Sequence, residues 1–151
     1  MKKEFQAMFI ISIFLLIVGC TTIILTPSLE MTVLSEIYSQ KTDNFKISFN
    51  VINPGDTTFT GNIVYQYNKD CLQLEGANRY DSNFPQETIK VPPKDTQPKK
   101  IAVIKQFSYV NKNNPPQTDT KCFQTPLRIS VLLYDDSGKL MDSRGTTITI
   151  A

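Results

Sequence analysis

The most constraining feature of this 151-residue chain is an uncharged run of 25 residues from Phe5 to Leu29. At about 1.5 Å per residue a helix of that length is longer than a hydrocarbon core of roughly 30 Å. Two lysines precede the run and a glutamate follows it, a charge bias that keeps the N-terminus inside. The sequence therefore predicts a membrane anchor at residues 1–28 and an extracytoplasmic domain at residues 29–151.

The same run contains a second signal, Ile17-Val18-Gly19-Cys20. This tetrapeptide resembles the lipobox at which bacterial lipoprotein precursors are cleaved and acylated on cysteine. The residues after Cys20 extend the apolar stretch instead of starting a polar tether, which favours a retained helix. A single-pass helix and a lipid anchor on Cys20 both remain open, with simple cleavage a minor third alternative, and the first two place the domain outside the cell membrane.

Composition limits the chemistry of the exported domain. About 120 residues remain beyond the anchor, enough for one domain with one core. The formal net charge is only +2 and histidine is absent, so nucleic-acid binding is not expected and the commonest general base and metal ligand are missing. Asp135, Asp136 and Asp142 lack the alternate spacing of a calcium loop. The sequence predicts a protein that is not an enzyme, with no catalytic residues, cofactor or metal.

Period-two alternation dominates the exported part, and no helical period is sustained after Thr26. It is clearest from Phe45 to Val51. The predicted strands are Met31–Tyr38, Asn44–Val51, Phe59–Tyr67 (with Cys71–Leu74 as its continuation or a small neighbour), Glu87–Val91, Lys99–Tyr109, Leu127–Tyr134 and Lys139–Ile150. These segments predict an all-β fold, a seven-stranded antiparallel immunoglobulin-like sandwich preceded by one transmembrane or signal helix.

Turn and edge signals separate these strands. Asn53-Pro54-Gly55-Asp56 and Asp135-Asp136-Ser137-Gly138 have the residues of tight turns. Pro92-Pro93 at the end of Glu87–Val91 is typical of a strand at a sheet edge. Gly145 within the last strand predicts a bulge or bend.

Three segments carry a family resemblance: FKISFNVINPGD at 45–56, VPPKDTQPKKIAV at 91–103 and LRISVLLYDDSGKL at 127–140. With the final Thr/Ile strand they resemble cell-adhesion-related and similar immunoglobulin-like modules of archaeal and bacterial surface proteins. They resemble more weakly the late-embryogenesis-abundant type of β-sandwich. The resemblance covers residues 29–150 and implies adhesion, scaffolding or accessory-subunit roles without catalytic residues. The chain departs from antibody-type domains because it has no tryptophan.

The cysteines predict one disulfide bond. Setting aside Cys20 leaves Cys71 and Cys122 in an exported domain, where an oxidising compartment normally pairs such residues. In an immunoglobulin-like sandwich the third and penultimate strands run antiparallel as neighbours. That arrangement would bring the end of Phe59–Tyr67 beside the start of Leu127–Leu133, with both cysteines at one end of the sheet.

Two functional hypotheses follow, and the preferred one is a structural or protein-interaction component, an accessory subunit of a cell-surface or membrane complex. The alternative is a ligand-binding lipoprotein whose loops 76–86 and 109–124 close over a sugar, peptide or lipid. The aromatic residues of these loops are either packed or available for partner contact: Tyr80, Phe84, Tyr109 and Phe123. Four lysines, which form either a basic patch or the protection of an edge strand, are Lys94, Lys99, Lys100 and Lys105.

The anchor is testable by mass spectrometry of the mature chain isolated from its own membranes. An intact Met1 identifies the retained helix, whereas a diacylated or triacylated Cys20 identifies the lipoprotein. A soluble cytoplasmic protein would contradict both.

Overall fold

The computed structural model describes residues 25–31, 37–38, 44–78, 80–110, 122 and 126–150. Residues 1–24 of the predicted anchor, including Cys20, lie outside these residues, and Ser28, predicted as the last anchor residue, is the first residue of β1. The described residues form nine strands: β1 Ser28–Met31, β2 Ile37–Tyr38, β3 Asn44–Asn53, β4 Phe59–Tyr67, β5 Leu72–Leu74, β6 Gln86–Val91, β7 Lys99–Tyr109, β8 Leu127–Asp135 and β9 Leu140–Ile150.

No helix long and apolar enough to cross a membrane is found among the described residues.

The strands form two sheets. The four-stranded sheet has the order β1-β3-β7-β5, and the five-stranded sheet has the order β2-β9-β8-β4-β6. All pairs are antiparallel except the two-residue pair of β2 with β9, which is parallel. The prediction of an all-β protein with two packed sheets is confirmed. The expected strand β4 does lie antiparallel beside β8, with Tyr67 opposite Ile129.

The core lies between the two sheets and follows the predicted alternation. Phe45, Ile47, Phe49 and Val51 of β3 are all buried, as are the alternate residues of β4 and β8. The Phe49 and Tyr65 rings meet across the sheets with centroids 6.2 Å apart. Because each strand buries one face and exposes the other, a single apolar layer holds the sandwich together.

The strand count differs from the expected seven. The segment Met31–Tyr38 is not one strand, because β1 begins at Ser28 in the four-stranded sheet and β2 pairs in the five-stranded sheet. The segment after Cys71 does not continue β4, since β5 pairs with β7 in the opposite sheet. Both differences have one cause: short apolar stretches indicate that a strand exists but not which sheet receives it.

The predicted turns are present, but the predicted bulge is not at Gly145. Gly138 has a φ of 83° in the β8–β9 hairpin, as the turn requires. The register slips between Leu133 and Tyr134, so that Met141 is the extra residue on β9. Gly145 pairs regularly with Ser130, and a Cβ there would lie 3.1 Å from Nε of Arg128. Gly145 therefore makes room for a neighbouring side chain.

Side chains close one side of the sandwich, here called the β1–β9 side because β1 of one sheet contacts β9 of the other there. The Leu29 N–H donates to Oδ2 of Asp142 at 2.8 Å, and Nε of Arg144 donates to the Leu29 carbonyl at 3.2 Å. Arg144 and Asp142 also approach each other at 3.4 Å. These bonds link the two sheets and occupy the backbone groups that an edge strand otherwise leaves unpaired.

Asn53 is a buried polar side chain that organises one end of the sandwich. It is 2% exposed, and its Nδ2 group donates to the carbonyl oxygens of Thr57 at 2.8 Å, Val91 at 3.1 Å and Pro92 at 3.0 Å. Its Oδ1 accepts from the Gly55 N–H at 3.0 Å. The side chain thus shapes the β3–β4 turn and fastens it to the end of β6.

We expect Asn53→Ala to lower the free energy of unfolding by about 2–3 kcal/mol, because buried carbonyl oxygens lose their donor. The matched control is Asn50→Ala. The half-buried Asn50 side chain donates to Glu30 at 3.2 Å, and we expect an effect within about 0.5 kcal/mol. Urea denaturation of both variants provides the measurement. Equal effects of the two substitutions would contradict the role assigned to Asn53.

Candidate functional site

The disulfide predicted from the sequence is present at the end of the sandwich opposite Asn53. Cys71 and Cys122 are bonded, with their Cα atoms 5.6 Å apart, and both are buried. The Cys71 carbonyl accepts from the Val110 N–H at 2.8 Å, which ties the bond to the end of β7. The bond spans a sequence separation of 51 residues. The chain-entropy model gives such a cross-link on the order of 4 kcal/mol.

Beside this end lies the 76–85 loop, which connects the edge strands β5 and β6. Gly76 opens the loop with a φ of 78°. Asn78 Oδ1 accepts from the Tyr80 N–H at 3.1 Å, and Asp81 Oδ1 accepts from the Asn83 N–H at 3.0 Å. These side-chain turns define the backbone of the loop locally.

Lys69 holds the loop from outside. Its Nζ donates to the carbonyl of Asp81 at 2.7 Å and also to that of Asn83. The same Nζ lies 5.0 Å from the centroid of the Phe84 ring, within cation–π range. Phe84 contacts the Tyr67 ring edge-on at 6.4 Å, so the loop is joined to the core.

The structure separates the predicted contact aromatics. Tyr80 is 92% exposed, Phe84 is 39% exposed, and Tyr109 is half-buried against the core. Phe123 and most of the 109–124 loop lie outside the described residues. Tyr80 and Phe84 thus lie on one loop with very different exposure, whereas the Tyr109 side chain packs partly against the core.

An open cleft of about 580 Å³ lies along the 76–85 loop. Its lining combines apolar groups of Val64, Ala77 and Phe84 with amide and carboxyl groups, among them Asn78, Asp81 and Gln86. Tyr80 is not part of this lining. Cleft and exposed tyrosine are thus two separate features of the same loop.

A polar cluster joins β6, an edge strand of one sheet, to β7 of the other sheet, on what is here called the β6–β7 side. The sequence patterns did not indicate it. Glu87 of β6 accepts from the Tyr65 hydroxyl and from Nζ of Lys105. Lys105 also lies 5.7 Å from the centroid of the Tyr65 ring. Period-two alternation along β7 places Lys105 on the same face as Val103 and Phe107, a signal that could have indicated an inward-facing charge.

The pKa of Tyr65 is raised because its hydroxyl is buried and also because it donates to the Glu87 carboxylate. Burial raises the pKa of Tyr67 as well, although the Leu74 N–H at its oxygen opposes that shift. Both phenols therefore resist ionisation in the folded protein.

The four lysines do not form an unneutralised basic patch. Lys94 pairs with Asp56 at 3.3 Å, Lys99 with Asp95 at 2.5 Å and Lys100 with Glu30 at 2.8 Å. Lys105 pairs with Glu87. Each charge has a nearby carboxylate, so the set fits the edge-strand interpretation better than anion binding.

Two of the three aspartates considered for calcium, Asp135 and Asp142, have structural partners. Asp135 Oδ1 accepts from the Ser137 hydroxyl at 2.6 Å and from the N–H groups of Ser137 and Lys139. These bonds, the Ser137 hydroxyl first, lower the pKa of Asp135. Asp142 binds Leu29. Within the described part of the chain no three His, Cys, Asp or Glu residues are grouped as metal ligands.

Comparison with known proteins supports the fold. No protein-family model matches the sequence, and no curated protein matches it. The chain is similar to the crystal structure of a FixG-related protein from Vibrio parahaemolyticus, with a TM-score of 0.51, 12% identity and coverage of 81% of this chain and 95% of that chain. It is also similar to a cohesin module from a Clostridium perfringens family 33 glycoside hydrolase, with a TM-score of 0.50, 10% identity and coverage of 83% and 96%. At these identities the likeness shows a β-sandwich fold alone.

We expect alkaline pH to destabilise the protein through Tyr65. A phenol whose pKa is raised on folding contributes stability that is complete below its unfolded pKa of about 10 and is lost as pH rises beyond that value. Urea denaturation at about pH 8 and about pH 11 measures the loss. Tyr65→Phe should reduce the loss, while Tyr80→Phe, at an exposed position, should leave it unchanged. An unchanged loss in Tyr65→Phe would contradict this assignment.

Proposed function

We propose that this protein is a membrane-anchored, extracytoplasmic sandwich of the immunoglobulin-like type. In this role it is a structural or protein-interaction component, an accessory subunit of a cell-surface or membrane complex. The proposal is for binding and not for catalysis. Its anchor is the single-pass helix or lipid-modified Cys20 that the sequence predicts.

The strand order supports the immunoglobulin-like assignment. The orders β1-β3-β7-β5 and β2-β9-β8-β4-β6 place β1, β3, β7 and β5 as strands A, B, E and D. Opposite them, β9, β8 and β4 correspond to strands G, F and C, with β2 and β6 added at the two edges of that sheet. The chain order departs from the immunoglobulin pattern at one point. In that pattern a strand added beside C precedes strand D along the chain. Here β5, in the position of D, comes before β6, which lies beside β4. The sequence also lacks the tryptophan of antibody domains.

The disulfide supports an extracytoplasmic location. Structural disulfides persist in oxidising compartments and are rare in the cytosol, and the Cys71–Cys122 bond is buried within the fold. An extracytoplasmic location also agrees with the uncharged segment Phe5–Leu29, from which we predicted that the following domain is exported.

The observation that carries the binding role is Tyr80. Its side chain is 92% exposed on a loop whose backbone is held by Asn78, Asp81 and Lys69. Tyrosine buries a large area for little side-chain entropy and is enriched among interface residues that dominate binding energy. A held loop also loses less conformational freedom on association. We infer that Tyr80 inserts into a partner protein.

A second candidate function is ligand binding, favoured by the cleft along the 76–85 loop. Its volume, about 580 Å³, falls in the range of small-molecule sites. The amide and carboxyl groups of Asn78, Asp81 and Gln86 would suit the hydroxyls of a sugar or the backbone of a peptide. Saturable binding of an oligosaccharide or peptide, weakened by Gln86→Ala but not by Tyr80→Ala, would favour this function.

We expect Tyr80→Ala to weaken the complex isolated from native membranes roughly 30-fold, the equivalent of about 2 kcal/mol, without lowering Tm. The matched control is Leu140→Ala, which removes an apolar side chain that is 48% exposed in the β9 hairpin and should not affect binding. Phe84→Ala should instead lower Tm, because its ring packs against Tyr67. Quantitative co-purification and thermal denaturation provide the two readouts.

Two results would contradict the proposal. The first is a Tyr80→Ala variant whose Tm falls while its binding to the partner is unchanged. The second is a catalytic turnover that disappears on substitution of a single Asp, Glu, Ser or Lys.

A further inference from the structure

Strand β7 is much longer than the partner on its outer edge. β7 contains 11 residues, and β3 pairs with it from Lys99 to Ser108. On the other edge β5 pairs only with Phe107–Tyr109, and the Glu75 N–H adds one bond to the Gln106 carbonyl at 3.0 Å. Along Lys99–Lys105 no strand of the described residues pairs with this edge.

The hydrogen bonds near the end of β7 show which backbone groups face the open edge. The Gln106 carbonyl and the Val110 N–H both bond toward the β5 segment. In an antiparallel strand alternate residues direct both their N–H and C=O groups to the same side. The backbone groups of Lys100, Ala102 and Ile104 are therefore directed to the open edge.

Apolar side chains at this edge are incompletely covered. Ile101 and Val103 point inward, yet both are only half-buried, whereas Val51 and Phe49, which lie opposite them on β3, are fully buried. On the outer face Ile104 is 64% exposed. The β1–β9 side differs, because Asp142 and Arg144 bind the Leu29 backbone there.

We propose that the β7 edge from Lys99 to Lys105 accepts an extended segment of a partner protein as an additional strand. This inference rests on the proposed protein-interaction role and names its surface. Strand addition would pair the edge groups of Ala102 and Ile104 and cover the half-buried side chains. The edge from Lys99 to Lys105 begins where the β6–β7 connection ends and stops before Gln106, whose carbonyl is bonded by the Glu75 N–H.

The edge also indicates the chemistry of the partner. β7 carries three lysines and no acidic residue, and Lys99 and Lys100 remain about half exposed despite their ion pairs. A segment with apolar residues at alternate positions and acidic residues near its ends fits best. A second copy fits less well, because two-fold pairing centred on Ala102 would place Lys99 beside Lys105 twice.

The test uses the full chain in its native membranes with a photoreactive benzophenone amino acid in place of Ile104. Separate samples carry it in place of Tyr80 or, as a control, of Leu140. Mass spectrometry then identifies the cross-linked peptides. We expect the position of Ile104 to cross-link to one segment of a different protein and the position of Leu140 to give no such product.

Two variants of Ala102 test whether the partner segment forms backbone hydrogen bonds with the β7 edge, as an added strand would. Ala102→Pro removes an N–H directed to the edge and should lower the cross-link yield from position 104 about tenfold, whereas Ala102→Ser keeps the N–H and should change it by less than about twofold. Hydrogen exchange of the backbone amides is a second test that does not require the proline variant. In the purified chain the Ala102 and Ile104 amides should exchange faster than those of Ile101 and Val103, and in the complex they should become protected.

Four outcomes would overturn the inference: a cross-link from position 104 to a second copy, one to another segment of the same chain, none at all, or no protection of the Ala102 and Ile104 amides in the complex. If position 80 cross-links to another protein and position 104 does not, the edge is excluded while the proposed function stands. If neither position reaches another protein, both proposals fail.

Discussion

The apolar layer between the two sheets is the interaction on which the rest of the structure depends. Phe49 of one sheet and Tyr65 of the other meet in it, and the Phe107 ring stacks on Phe45 while it meets Tyr67 edge-on. Neither sheet could remain in water alone with such a face exposed. The polar contacts of Asn53, Asp142 and Glu87 are found at the margins of this layer.

The two lateral margins are closed by different means. On the β1–β9 side, Asp142 and Arg144 bind the backbone of Leu29 and so block the edge itself. On the β6–β7 side, Glu87 joins Tyr65 and Lys105 side chain to side chain and leaves the β7 backbone accessible. The two sides therefore differ, because the Leu29 backbone is bonded on one of them, whereas on the other no strand of the described residues pairs with the outer edge of β7 from Lys99 to Lys105.

Local patterns in the sequence predicted much of the fold, since alternation from Phe45 to Val51 and the Asp135–Gly138 turn depend on neighbouring residues alone. The cysteine pair could be predicted as well, because only two cysteines remain outside the predicted anchor. The contact of Leu29 with Asp142 joins residues 113 positions apart, and no local pattern encodes it. Likewise, the exposure of Tyr80 and the partial burial of Tyr109 are decided by tertiary contacts.

The Cys71–Cys122 bond also determines the covalent topology of the molecule. It closes a ring that contains β5, β6, β7 and the 76–85 loop, from which two tails leave, one through β4 and one through β8. A protease that cuts once inside the ring produces a nicked chain whose two pieces are still covalently joined. A single cut in either tail releases a fragment. The two proposed contact surfaces, Tyr80 and the β7 edge, both lie inside the ring, so a single cleavage there leaves them covalently attached to the rest of the chain.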